Sequence, residues 1–204
     1  MKRYNSKNQV FILSVISVVF LIAASGCRKE VDDQLFLEIS HGGGRTVLQK
    51  ELEGIDFKFC LLDDEGDSTT VINENENFTL SFSFKNNNSD TIIVTTGFIN
   101  DDFYRIFKSD DNQDMEKPWT GVWCDYSGYP REIKLAPFSY KSFNCPWVLT
   151  ESSLPEYPLC MGESRPYLPK GEYYTRVKLG FRFTINKEEY FIDNTVLRIN
   201  FLVN

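Results

Sequence analysis

Histidine is nearly missing from this chain: His41 is the only one in 204 residues. A Ser-His-Asp or Cys-His site would have to be built around that one residue, which argues against the hydrolase classes that need an imidazole base. His41-Gly42-Gly43-Gly44 imitates an esterase oxyanion loop, but no G-x-S-x-G elbow accompanies it. No C-x-x-C pair occurs, so nothing has the ligand spacing of a structural zinc site. No apolar stripe of 3.6-residue period runs anywhere past the first 26 residues, which leaves no amphipathic helix to build a bundle or an α/β fold. There is no internal repeat and no sign of a second domain. Cations are outnumbered, with Lys and Arg at 22 against 29 for Asp and Glu and a net charge of −7. Nucleic acid is excluded as a partner on that balance, because binding it needs a basic footprint. An acidic surface suits an extracellular face, where charge confers solubility and anionic lipid repels it.

What is present begins at the N-terminus. Met1 to Gln9 is polar and carries Lys2, Arg3 and Lys7, and Val10 to Ala24 is apolar apart from Ser14 and Ser17. A basic segment, an apolar run of roughly 7–15 residues and small residues at the end define a secretory signal. The run falls short of the roughly 20 residues that a membrane span needs. Ala24-Ser25-Gly26-Cys27 resembles a bacterial lipobox. An uncleaved N-terminal helix and an ordinary cleaved signal are the alternatives, and Cys27 argues against both. The resemblance implies that Cys27 opens the mature chain, with a diacylglycerol on its sulfur and an acyl chain such as palmitate on its amine. At ~0.8 kcal/mol per buried methylene, two or more chains anchor a protein durably without spanning. Residues 1–26 are then a signal peptide, 27–45 a flexible tether and 46–204 the domain. Losing Lys2, Arg3 and Lys7 moves the net charge from −7 down by three to −10. Behind Cys27, Lys29-Glu30 followed by Asp32-Asp33 resembles the Lys-acidic tract that some Gram-negative lineages use for surface export, with Val31 interrupting it. A solvated, charged tether is the other reading. The expected location is the outer membrane, facing the cell exterior.

Four further cysteines remain, Cys60, Cys124, Cys145 and Cys160. In an exported chain they suggest two disulfides, with three possible pairings. Cys124 with Cys160 is favoured, since both lie in long irregular segments that need fastening. Zinc and four buried free thiols are the rival states.

Alternation of period two dominates the rest. Phe78 to Lys85 places Phe78, Leu80, Phe82 and Phe84 on one face and mainly Ser and Thr on the other, the pattern of a half-buried strand. Asn86 to Asp90 makes a turn, because Asn and Asp tolerate left-handed backbone. Thr91 to Thr96, β-branched throughout, returns as the partner. Further strands are expected at Phe57–Leu62, Asp102–Lys108, Ile133–Leu135, Tyr140–Val148, Tyr173–Phe183 and Glu189–Val203. Leu35 to Ile39 adds a small strand that docks on the domain. Seven to nine strands with frequent turns predict an all-β, antiparallel immunoglobulin-like sandwich. Two segments break the rhythm, residues 109–130 and 149–169; long loops in a compact domain are commonly functional.

Phe78–Phe84, Asn86–Ser89, Ile92–Val94, Phe103–Phe107, Leu135-Ala136-Pro137, Tyr140–Trp147 and Leu168-Pro169-Lys170-Gly171-Glu172-Tyr173 together resemble the immunoglobulin-like sandwich of the BsuPI-type proteinase inhibitor domain. The likeness covers roughly residues 75–185 and implies that fold. Its motifs are structural, so no inhibitory residue carries over.

Candidate chemistry is sparse. Asp110-Asp111-Asn112-Gln113-Asp114-Met115-Glu116 spaces oxygen ligands like a calcium loop. Met115 replaces the required glycine and Gly121 stands where the closing Glu belongs, so a solvated acidic loop with no metal or other cofactor is expected and a weak calcium site is the alternative. Asp67-Ser68-Thr69 and Asp90-Thr91-Ile92 resemble a short bacterial O-glycosylation motif. Trp119, Trp123, Tyr126 and Tyr129 crowd one long loop, and Tyr157 and Tyr167 lie in the other. Such rings stack on sugars or anchor a protein partner when exposed, and form a small core when buried. The expectation is a non-enzymatic, membrane-anchored binding or accessory protein with a glycan or protein ligand. A protease-inhibitor-like protein and a small carbohydrate-active enzyme are the alternatives.

Overall fold

The computed structural model describes residues 29–31, 36–119 and 132–204. Thirteen strands form two sheets, and no α-helix occurs among the described residues. The strands are β1 (Lys29–Val31), β2 (Phe36–Ser40), β3 (Val47–Leu52), β4 (Ile55–Leu62), β5 (Ser68–Thr69), β6 (Val71–Ile72), β7 (Thr79–Asn86), β8 (Ile92–Thr95), β9 (Ile106–Lys108), β10 (Glu132–Leu135), β11 (Tyr140–Pro146), β12 (Gly171–Ile185) and β13 (Glu188–Val203). One sheet runs β11-β7-β4-β3, with β5 added to β4. The other runs β1-β13-β12-β8-β10, with β2 and β6 also on β13 and β9 on β12. The protein is a β-sandwich.

Alternation decides which side chains enter it. Phe57, Phe59 and Leu61 on β4 and Leu80, Phe82 and Phe84 on β7 are buried, and so are Tyr173, Val177, Leu179, Phe181 and Phe183 on β12 and Leu197, Ile199, Phe201 and Val203 on β13. The facing layers meet through rings. Phe57 and Phe84 lie edge-on to Phe181 of the opposite sheet at 4.9 and 5.2 Å between centroids. Tyr104 crosses into the first sheet, where its hydroxyl accepts from the Phe82 N–H at 2.7 Å and donates to the Phe143 carbonyl. These two residues face each other across β7 and β11, so one phenol ties both strands.

Two tight turns went unread in the sequence. Glu53-Gly54 and Asn186-Lys187 are two-residue connections with positive φ at both positions, the geometry whose twist suits a hairpin. At Gly54 a Cβ would come within 2.6 Å of the Asn88 side chain, which would have to shift to admit it.

Three expectations need correction. The second sheet is not purely antiparallel, because β1, β2 and β6 all run parallel to β13. The stretch expected as a tether is structured for much of its length: β2 pairs with β13 over Phe36–Ser40, close to the small strand foreseen at Leu35–Ile39. His41 to Gly44 then turns the chain, with Gly42 and Gly44 at φ 82 and 71 and the Gly43 N–H on Ser40 O at 3.1 Å. The expected strand at Asp102–Lys108 begins only at Ile106, because Asp102 to Arg105 forms a turn with Tyr104 at φ 65. The signal segment and Cys27 lie outside the described residues.

Candidate recognition edge

The two irregular segments meet at one end of the sandwich. The first starts as a hairpin: Lys108 N–H bonds Gln113 O, Met115 N–H bonds Ile106 O and Ile106 N–H bonds Glu116 O, all at 2.9 Å. Asn112 at φ 57 supplies the left-handed residue at its tip, a conformation Asn accepts readily. The second segment is pinned at its base, where Trp147 Nε1 donates to Pro166 O at 2.8 Å. Arg165 joins the two. Its Nε donates to Lys117 O at 2.9 Å, and its guanidinium pairs with the Glu116 carboxylate.

Between them lies a groove of about 300 Å³, bordered by Gln113, Asp114, Glu116, Arg165 and Tyr167, with Trp147 at its base. A wider depression of about 590 Å³ opens on the other side of Arg165-Pro166, between Pro118 and Gly162–Ser164.

The acidic run is consumed by neighbouring cations. Asp114 takes Arg105 Nη1 at 2.6 Å, and Asp110 takes Lys108 Nζ at 3.0 Å. Asp111 accepts its own chain's Gln113 N–H at 2.8 Å. Lys117, 7% exposed, pairs with Asp101 and lies 4.6 Å from the Trp119 ring centroid. The hydrogen bond and then the charge of Lys117 hold the Asp101 carboxyl below its ordinary range, and Lys108 does the same for Asp110. No group of three His, Cys, Asp or Glu side chains gathers to hold a metal ion among the described residues. His41 stands 4.0 Å from the carboxylate of Glu172, three residues past Pro169 of the groove lining.

Trp119, expected as a possible ligand contact, lies in the core. It is 2% exposed and its indole N–H donates to Phe103 O at 2.7 Å, so it seals the core beneath the first segment. Trp123, Tyr126, Tyr129 and Cys124 lie outside the described residues. Tyr167 is the aromatic that the groove does present, at 43% exposure. Of the two glycosylation-like motifs, Ser68 is half-buried and bonded to Thr46 at 2.7 Å, whereas Thr91 is exposed.

The cysteines meet expectation only in part. Cys160 is disulfide-bonded, whereas Cys60 and Cys145, which a second bridge would join, are free. Cys60 is opposite Ser81 and Cys145 opposite Leu80, so they flank β7 on opposite faces of the sheet. Two strand spacings, roughly 9–10 Å, exceed the roughly 7 Å within which Cα atoms can be bridged. Burial raises the pKa of both thiols, far more for Cys145. Iodoacetamide on the folded protein is therefore expected to modify Cys60 slowly, and faster as the pH rises toward 9. Cys145 is expected to react only after unfolding, as peptide mass mapping would read. Modification of Cys145 at native conditions would contradict its placement in the core.

Set against known proteins, the chain matches no family model and no curated protein. The likeness to the BsuPI-type domain therefore has the strand pattern alone behind it.

Proposed function

We propose that this chain is a lipid-anchored envelope protein of the bacterial outer membrane, turned toward the cell exterior, that binds a glycan and performs no catalysis. The lipobox-like Ala24-Ser25-Gly26-Cys27 supports the anchor, and the disulfide-bonded state of Cys160 supports a Cys124–Cys160 bridge as the fastening of the long segments. The observation that carries the binding reading is the groove between those segments. Its volume of about 300 Å³ lies at the lower end of ligand sites, roughly 300–1,000 Å³. Tyr167 offers a ring face for a sugar. Gln113 offers its side-chain amide, and the Arg165–Glu116 pair holds two charged groups at the rim.

The test is binding of the full chain to a panel of immobilised bacterial and host glycans, repeated with Tyr167→Ala. The variant is expected to weaken binding of the captured glycan by about tenfold or more, with an unchanged melting temperature because the ring is half outside the core. If no glycan is retained, or if Tyr167→Ala binds as well as the parent, the groove is not a sugar site.

A further inference from the structure

The turns of the sandwich sort into two poles. Glu53-Gly54, Asn87–Thr91, Ala136–Ser139 and Asn186-Lys187 share one. Asn87 N–H bonds Gly54 O at 2.8 Å, Asn186 Nδ2 bonds Asp90 Oδ2 at 2.9 Å, and Asn86 Nδ2 bonds Ala136 O at 3.1 Å. The grooves lie toward the other, where Gly171 begins β12 and Val203 ends β13. β12 spans 15 residues, so at about 3.3 Å per residue the poles are about 45 Å apart.

β1 fixes which pole the N-terminus reaches. It runs parallel to β13 with Lys29 opposite Tyr190, three residues from the Asn186-Lys187 tip, or about 10 Å along the strand. Cys27 is two residues before Lys29, and two residues reach at most about 7 Å. A lipid on Cys27 thus cannot lie far from the first pole. That pole also carries Phe138, which is 66% exposed and held outward on its turn at φ 59. An aromatic side chain on a protruding turn suits the boundary between headgroups and acyl chains.

We propose that the anchored sandwich stands upright, with the Asn186-Lys187 and Ala136–Ser139 turns against the bilayer surface and the grooves at the far end, about 45 Å out. This rests on the lipid-anchor reading above. It makes the first pole a membrane-contact surface, and it presents the ligand groove to the surroundings with no linker.

The test uses the full chain, processed in a bacterial host and reconstituted in phosphatidylcholine vesicles that carry a nitroxide-headgroup lipid. Fluorophores are placed singly by Lys187→Cys, Phe138→Cys and Lys170→Cys in a Cys60→Ser background, and mass spectrometry of the N-terminal peptide reports the lipid. Quenching at 187 and 138 is expected to exceed that at 170 several-fold. Equal or reversed quenching on lipid-bearing protein overturns the upright orientation while the anchor stands. An N-terminal peptide without lipid overturns the anchor and the orientation together.

Discussion

Replacing Phe98 by alanine is expected to remove about 3–5 kcal/mol of stability, the usual cost of emptying an aromatic site in a core. Phe98 ends a short 3-10 turn, Thr96–Phe98, and is fully buried. Its ring lies 5.6 Å from Phe82, 6.1 Å from Phe84 and 5.5 Å from Phe143 in one sheet, and 5.3 Å from Phe181 in the other. It also meets Phe103 at 6.0 Å. Among the described residues no other ring touches so many members of both layers, so the cavity cannot close by shifting one strand. Phe98→Leu keeps most of the volume and should cost less than about 1.5 kcal/mol. Guanidinium denaturation of the two variants checks this. Near-equal midpoints for parent and Phe98→Ala would show that the ring is not the joint between the sheets. The alanine cost is a large share of the 5–15 kcal/mol that a domain possesses.

Asn86→Ala is expected to cost about 3 kcal/mol, through hydrogen bonds instead of packing. Asn86 is fully buried. Its Nδ2 serves Asp90 O at 2.8 Å, Ala136 O at 3.1 Å and Leu135 O at 3.2 Å, and its Oδ1 accepts the Asn88 N–H at 2.9 Å. One amide therefore shapes the turn between β7 and β8 and ties it to the end of β10, across the two sheets. Alanine leaves these groups unpaired, each at about 1–3 kcal/mol when buried, with partial relaxation. Asn86→Asp separates this from loss of volume. It keeps the acceptor for Asn88 but points a carboxylate at three carbonyls. The repulsion raises the folded-state pKa of that carboxyl above its unfolded value. Stability of this variant is thus fullest at acid pH and is lost as the pH rises through the folded pKa. Thermal melts between pH 3 and 8 would show the opposite slope, or none, if Asn86 were solvated.

Strand content was legible because two-residue alternation reports burial directly. Phe78 to Phe84 alternates cleanly, Tyr173 to Phe183 does so apart from the buried Tyr174, and each apolar member named in them is buried. Asn86 was legible as a turn residue but not as the stitch between sheets, since its acceptors are 49 and 50 residues away. Parallel docking on β13 was hidden because short segments such as Val71-Ile72 carry no periodicity of their own. In the irregular segments the pattern gave no means of telling a core ring from a presented one. Trp119 and Tyr167 looked alike as loop aromatics, and their difference arises from Phe103 O and the Lys117 side chain, which lie under one and not the other. The free state of Cys60 and Cys145 follows from which faces of a sheet they occupy, and only register reveals that.

The parallel course of β1 and β2 along β13 bears on how the protein withstands being pulled. In the upright orientation proposed above, tension on the chain ahead of Lys29 would act along the strand axis. It loads the three residue pairs with β1 and the five with β2 side by side. A hairpin peeled from its end gives way one bond at a time, whereas strands drawn lengthwise must slip together. A load entering at the N-terminus and leaving at the grooves therefore runs down the length of the sheet that holds β13, so the sandwich bears it as a tie.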